Sequence, residues 1–539
     1  MTPLDQLHDA VRGAAGTLAA GDLAVAAAAK LERPPKAQFG DYSTNAALLL
    51  APRLGRPPRE VAAALGEELA RELGDGLQRV EVAGPGFLNL FIADAWFERA
   101  LTAALEAGDG FGGGGAAEAQ RIDIEFVSAN PTGPLTVAHG RHAAFGDALA
   151  RILEFHGHAV TREFYINDFG SQVRRLGESV RAWARDEPVP EDGYRGSYVA
   201  QLVPRERAAS LELDALCAEA VAACLAMVRG TLERFGVSFD VWFSERSLHD
   251  DGLVARALAR LDDQGDTYTH DGALWVRTTD YGDDKDRVVE RSGGEHTYFT
   301  SDIAYHEDKL ARGYDRLIDV WGADHHGYMR RMQAALTALG ARPGVLDIAI
   351  LQFVHLIDAG ARAAMSKRSG DFVTLDALVD EIGVDAARYF LVQRSHDTTV
   401  DIDLALAVRR TNENPVYYIQ YAHARIAGVL AKAGSARVEA ALAAPRAAAA
   451  LHPSERALLK RLLAFGAEVA EAAERLAPHR IAAYALELAQ DFTAFYRDCR
   501  VVGAEPAETE SFRIALSVAT QRTIARSLDL LGVGAPQEM

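Results

Sequence analysis

The run from Arg121 to Ile166 restricts the possible folds more than any other part of this chain. Arg121–Val127 has the length and apolar content of a buried strand, Ala138–Phe155 repeats its apolar residues at helical spacing, and His158–Ile166 returns to strand character. A helix between two strands predicts a βαβ crossover, because parallel neighbours cannot be joined by a tight turn. The fold class expected is therefore α/β, with a doubly wound, Rossmann-like sheet. Ligands of such sheets lie at the carboxyl ends of the strands, which here is Ser128–Ala138. Pro131 and Pro134 fix backbone angles and Gly133 permits a tight path, so the next helix starts at a defined place. Its free N–H groups favour an anion. His139, in the first turns, has a ring N–H within reach of a phosphate oxygen or a ribose, although the position also suits a capping or surface histidine.

A chain of 539 residues is too long for one core, so several domains are expected. Residues 1–108 read as a small α/β domain. Leu4–Ala28 has helical spacing, Phe39–Asn45 opens a further helix with Ser43 or Thr44 as cap, and Val80–Ile92 reads as two strands about Gly84-Pro85-Gly86. Gly108–Gly115 reads as a flexible linker; it lacks the spacing of a nucleotide-binding glycine loop. Residues 116–407 form the sheet domain, with an insertion over about 171–290 that is helical to Phe235 and strand-like from Asp266. The sheet resumes at Leu317–Trp321 and Val345–Leu351. Residues 408–539 are helical almost throughout and read as a separate bundle.

No apolar run approaches the roughly 20 residues that span a bilayer, and the start, Met1-Thr2-Pro3-Leu4-Asp5, lacks the pattern of a signal peptide. A cytoplasmic protein with no membrane partner is expected. Cys217, Cys224 and Cys499 form no zinc pattern, so each is expected as a reduced thiol, with no metal site. The net charge of −19 argues against a nucleic-acid partner. Its distribution softens that, since residues 411–539 hold 14 acidic and 14 basic side chains. A neutral bundle can present a basic face.

A second segment, Met365-Ser366-Lys367-Arg368-Ser369-Gly370-Asp371-Phe372-Val373-Thr374-Leu375, puts adjacent cations, small hydroxyls and a glycine before a helix starting near Leu375. Such a loop can lay ammonium and guanidinium donors over a polyphosphate and still move. Together with Glu125–Arg141, it resembles the paired signature motifs of class I aminoacyl-tRNA synthetases. Tyr165-Ile166-Asn167-Asp168 and Asn414–His423 resemble arginyl-tRNA synthetases in particular, and the likeness covers nearly the whole chain. It implies a class I catalytic domain at 116–407, an N-terminal domain that contacts tRNA, and a helical anticodon-binding domain at 408–539. Removing residues from about 411 onward is then expected to abolish charging while ATP and arginine binding largely survive.

The resemblance also implies site residues. His139, Thr136, Lys367 and Arg368 would carry catalysis. Arginine would be held by Glu125, Ser128, Asn130, Tyr298, Asp302 and His325, with Asp302 the principal acceptor for the planar guanidinium. ATP would be held by Pro134, His139, Gly140, Asp324, Met365, Ser366 and Lys367. The Gly322–Gly327 turn, with Asp324, His325 and His326, also invites a metal reading; contacts to ATP and amino acid are the expectation preferred. ATP with Mg²⁺ is expected as co-substrate, with no tightly bound metal or organic cofactor, and the chain is expected to be a monomer.

The chain departs from the family's motifs. The first usually reads His-x-Gly-His, and here it is Thr136-Val137-Ala138-His139. The second usually begins with lysine, or that charge stands just upstream of the first; here those places hold Ala364 and Thr132. A lost charge-assisted hydrogen bond costs roughly 1.5–3 kcal/mol. Two readings therefore stand beside ATP-dependent ligation of arginine to tRNA: a slow or non-catalytic paralogue that binds tRNA or arginine, and a tRNA-independent adenylating enzyme.

Overall fold

The computed structural model describes residues 3–20, 28–34, 36–325, 327–358, 361–362, 373–443 and 445–539. Its central sheet has five parallel strands in the order Leu346–Leu351, Arg316–Gly322, Arg121–Glu125, Ala159–Ile166, Val241–Ser244. The chain builds outward from Arg121–Glu125 in one direction and then in the other. The reversal beside that strand leaves a crevice at the carboxyl edge.

The first strand ends at Glu125, two residues before the sequence pattern does. Val127 and Ser128 adopt φ of 69° and 41°, which no ladder accommodates. A positive φ is costly for a β-branched residue and marks a segment held by its surroundings. The crossover helix, Val137–His156, is buried on nearly every side rather than amphipathic. The sheet lies beneath it, and Val384–Val392 and Phe465–Glu474 pack over it. At Gly146 a Cβ would fall 2.2 Å from Phe126 Cγ, so a side chain there would lift the helix off its strand.

The insertion holds a helical part and an antiparallel three-stranded sheet, Thr267–His270, Ala273–Val276 and Arg287–Glu290. Leu213–Arg234 is long and apolar enough to cross a membrane by length and composition, contrary to the expectation from sequence. Its Leu216, Cys217 and Ala220 pack on Ser171–Ala184, where Cys217 touches Gly177, so one face of this helix belongs to the core of the insertion. The three free cysteines are all buried, and burial pushes the Cys224 thiol up to about 12.

Residues 31–92 contain a four-stranded sheet in which Leu77–Ala83 and Phe87–Ile92 form the expected hairpin. The helix expected to open at Phe39–Asn45 starts later. Tyr42–Thr44 is a strand paired with Leu88–Leu90, and Asn45 precedes the helix Ala46–Leu54. The Thr44 hydroxyl accepts the Ala46 N–H at 3.2 Å. Gly108–Gly115 is not a loose tether. At Gly112, with φ +84°, a Cβ would lie 2.5 Å from the Phe465 ring, and at Gly113 2.8 Å from Phe155. The glycines let the chain thread between two aromatic rings, a role composition alone does not disclose. Asp41 accepts Arg456 at 2.9 Å and Lys460 at 3.1 Å, fastening this N-terminal unit to the C-terminal bundle.

That bundle comprises the helices from Pro415–Ala433 to Ala507–Leu530. It is continuous with the sheet domain through Arg388, which is fully buried. The Arg388 guanidinium donates to the Leu531 carbonyl at 3.0 Å, to the Phe235 carbonyl at 3.0 Å and to the Asp147 carboxylate.

Candidate active site

A cavity of about 640 Å³ opens at the strand reversal. Its lining includes Glu125, Ser128 and Asn130 from the end of the first strand, and His139 and His142 from the crossover helix. Asp302, Asp324, His325 and Tyr328 close it from the helix Tyr298–Ala311 and the turn after Arg316–Gly322.

The floor is acidic, and most of its charge is already neutralised. Lys309 lies without solvent exposure 2.7 Å from Glu125, 3.0 Å from Asp319 and 3.4 Å from Asp123. The other Glu125 oxygen accepts the Ser128 hydroxyl at 2.7 Å, which the strained turn at Val127–Ser128 points back at it. His306 joins Asp319 at 2.8 Å through Nε2, while its Nδ1 lies 2.8 Å from the Asp302 carbonyl. Among these groups Asp302 has no cation of its own; the carboxylate accepts the Tyr328 hydroxyl. Burial, with Glu125 and Asp319 nearby, pushes its carboxyl up to about 6. A buried acid in that state favours an incoming cation, which supplies the missing counter-charge.

The opposite wall carries imidazoles. His139 Nδ1 accepts the backbone N–H of Thr136 at 3.1 Å, so the ring proton of the neutral form sits on Nε2. The Thr136 hydroxyl lies 3.1 Å from the same nitrogen. Thr136 therefore caps the helix and orients His139; it does not line the cavity. Burial lowers the His139 pKa, favouring the neutral ring. His325 and Asp324 follow in the turn, 3.6 Å apart and largely exposed.

Some expected site residues stand elsewhere. Tyr298 shares a helix with Asp302 one turn away, but it is 81% exposed and outside the cavity lining. It is the first residue of its helix, with the turn before it on the surface and no element among the described residues to cover the ring; Tyr328 occupies the place beside Asp302 instead. Gly140 faces Leu375, where a Cβ would lie 2.6 Å from Cδ1, so it serves close packing rather than the cavity. Pro134 shapes the approach without lining the cavity. Met365, Ser366, Lys367 and Arg368, together with Ala364, lie outside the described residues, as does His326. The segment's far end is placed: Val137 donates to the Val373 carbonyl at 3.2 Å and Leu375 to the Leu135 carbonyl at 2.8 Å. The two signature segments thus meet in a short antiparallel pairing.

Sequence reasoning missed Lys309, His306, Asp319, Tyr328 and His142. A signal for three of them existed. Asp302, His306 and Lys309 recur at helical spacing on one face, an arrangement improbable for a solvated surface once the face carries an acceptor, an imidazole and an ammonium. His142 likewise follows His139 by three residues.

Three family models match the chain: "Arginyl tRNA synthetase N terminal domain" over residues 5–92, "tRNA synthetases class I (R), catalytic domain" over 101–191 and 205–426, and "DALR anticodon binding domain" over 419–539. The arginine–tRNA ligase of Kineococcus radiotolerans is 46% identical across 100% of both chains. The chain belongs to the arginyl-tRNA synthetases. That of Bacillus subtilis is 43% identical over 94% of each chain. The solved Thermus thermophilus arginyl-tRNA synthetase superposes with a TM-score of 0.79 at 24% identity, over 99% of this chain and 100% of that one, which supports the fold. The enzyme ligates L-arginine to tRNA at the expense of ATP. The matched anticodon domain leaves a tRNA-independent adenylating enzyme without support.

Proposed function

We propose that the cavity binds arginine with its guanidinium on Asp302 and its carboxylate towards the imidazole wall, where ATP is attacked. In this reading the arginine carboxylate displaces pyrophosphate from the α-phosphate in line, and the ribose hydroxyl at the tRNA 3′ end then takes the arginyl group. No protein nucleophile is needed; positioning and neutralisation of phosphate charge suffice. The observation that carries this reading is the polarity of the cavity. One end holds a carboxylate without a cation of its own, and the other holds the imidazoles of His139, His142 and His325, with Asp324 beside the last.

Glu125, Ser128 and Asn130 would set the α-amino end, with Glu125 held in place by Lys309. His139, Asp324 and His325 would meet the nucleotide, with Met365, Ser366, Lys367 and Arg368 closing over its phosphates. Mg²⁺ would enter with ATP, since it is commonly held by substrate phosphates and one or two carboxylates rather than by a protein cage. Residues 1–108 would contact tRNA, residues 116–407 carry catalysis, and residues 408–539 read the anticodon. A cytoplasmic monomer with no membrane partner fits these roles. The test is aminoacylation of total tRNA with each of the twenty amino acids, with arginine alone expected to be charged. No charging of any tRNA would favour the slow-paralogue reading.

A further inference from the structure

Among the described residues, His142 is the one on the imidazole wall for which neither capping nor packing gives a reason. It follows His139 by one helical turn, lines the same cavity, and lies near both His139 and His325. Neither ring nitrogen has a hydrogen-bond partner among the described residues, and Nδ1 is sealed from solvent. Buried polar atoms are nearly always paired, so an unpaired one in a cavity wall asks for a ligand or a reason. Burying a bare acceptor is less unusual than burying a lone N–H. The neutral ring therefore keeps its proton on Nε2, the nitrogen that is not sealed, and presents it as a donor.

We propose that His142 is a nucleotide-contacting residue of this enzyme, its Nε2–H donating to a phosphoryl oxygen of ATP and of the arginyl-adenylate. This rests on the reading of the cavity given above. Three things support it. The Thr136 hydroxyl is committed to His139, so Thr136 supplies no donor to the cavity. Beyond His139, the next cavity-lining residue of this helix that can supply one is His142. Burial first, with His139, Arg141 and His325 adding to it, holds its pKa down at about 3, so the ring is the neutral N–H donor.

The test is arginine-dependent ATP–pyrophosphate exchange with tRNA present, in the full-length enzyme and its His142→Ala, His142→Gln and His142→Asn variants. Glutamine can place an amide N–H near the position of Nε2, whereas asparagine reaches only that of Nδ1. The alanine variant should lose about 10- to 100-fold in kcat, the scale of one charge-assisted hydrogen bond made in the transition state. Its arginine Kd should be unchanged. Glutamine should restore most of the rate and asparagine little. The comparison of these two polar variants, at matched thermal midpoints, holds even if the alanine variant folds poorly. Equal rates for glutamine and asparagine, a wild-type rate for alanine, or a parallel loss of arginine affinity would each overturn the assignment. Wild-type protein that exchanges with no amino acid would instead overturn the underlying reading of the cavity.

Discussion

Lys309 Nζ sits 2.7 Å from Glu125 Oε2, and Lys309 is entirely shielded from solvent. The same ammonium meets Asp319 at 3.0 Å and Asp123 at 3.4 Å, so one cation stands among carboxylates that would otherwise repel. Burial pushes the Asp123 carboxyl up to about 7, with Lys309 opposing the shift. Lys309 is thus the keystone under the substrate floor.

Lys309→Met should therefore destabilise the protein by about 3–5 kcal/mol, the cost of leaving buried carboxylates without their partner. Denaturant unfolding checks this. A loss below about 1 kcal/mol would mean that water or protonation compensates. Arginine affinity should fall as well, because Glu125 would no longer be held against Ser128.

Asp302→Asn should weaken arginine binding by about 2–5 kcal/mol, since the guanidinium would then meet a neutral acceptor. Calorimetric titration of arginine into the variant measures it. An unchanged Kd would remove Asp302 from the site.

The same residue predicts a pH dependence. In the free enzyme the Asp302 carboxyl titrates at about 6, above the usual carboxylate range, because the charged form is buried without a cation. Arginine binds the ionised form, so below that pH a proton must be lost on binding. Affinity should be level above pH 6 and fall as pH drops, by about tenfold per unit. The Asp302→Asn variant should lose this slope, which separates Asp302 from the other acids of the floor.

Thr136→Ala should cost about 0.5–2 kcal/mol of stability, as loss of a helix cap does, and should slow adenylate formation by freeing the His139 ring. Thr136→His should alter adenylate formation more than stability. Exchange rates measured beside unfolding curves decide this. Flat rates in both variants would leave Thr136 as a cap alone.

On the bundle, Tyr417 stacks on Tyr421 at 5.9 Å, and the Arg425 guanidinium lies over the Tyr421 and Tyr496 rings at 4.8 and 5.3 Å. Phe495, by contrast, is wholly buried and belongs to the core. Replacing Tyr417 and Tyr421 together by alanine should raise the KM for tRNA by about 10- to 100-fold if unpaired bases stack there. Arginine affinity should not change. Steady-state charging against tRNA concentration reads the effect, and an unaltered KM would move the anticodon surface elsewhere.

Much of this was legible in the sequence because local rules and global fold agree. The Arg121–Ile166 crossover, the hairpin about Gly84–Gly86 and the helix after Thr374 were all readable from period and turn residues. The misreadings arose where tertiary partners decide. Nothing near Tyr298 tells whether a neighbour will cover it, and nothing in Gly108–Gly115 announces the rings of Phe155 and Phe465. Gly140 looked like a ligand contact because its motif is one, yet its partner Leu375 lies far along the chain. The expectation that ATP and arginine binding largely survive loss of residues from about 411 onward must reckon with Arg388. Without Leu531 that buried guanidinium would lose a partner, and the crossover helix would lose the cover of Phe465–Glu474.

The Arg388 junction also has a bearing on the order of events at the ribosome. Its Leu531 partner is made 143 residues after it, once the sheet strands and the signature helix have already been synthesised. Until then a guanidinium and Asp147 wait in an unfinished interior, so the nascent sheet domain is left open along that seam. Packing at that seam can be completed only after the chain has been made as far as Leu531.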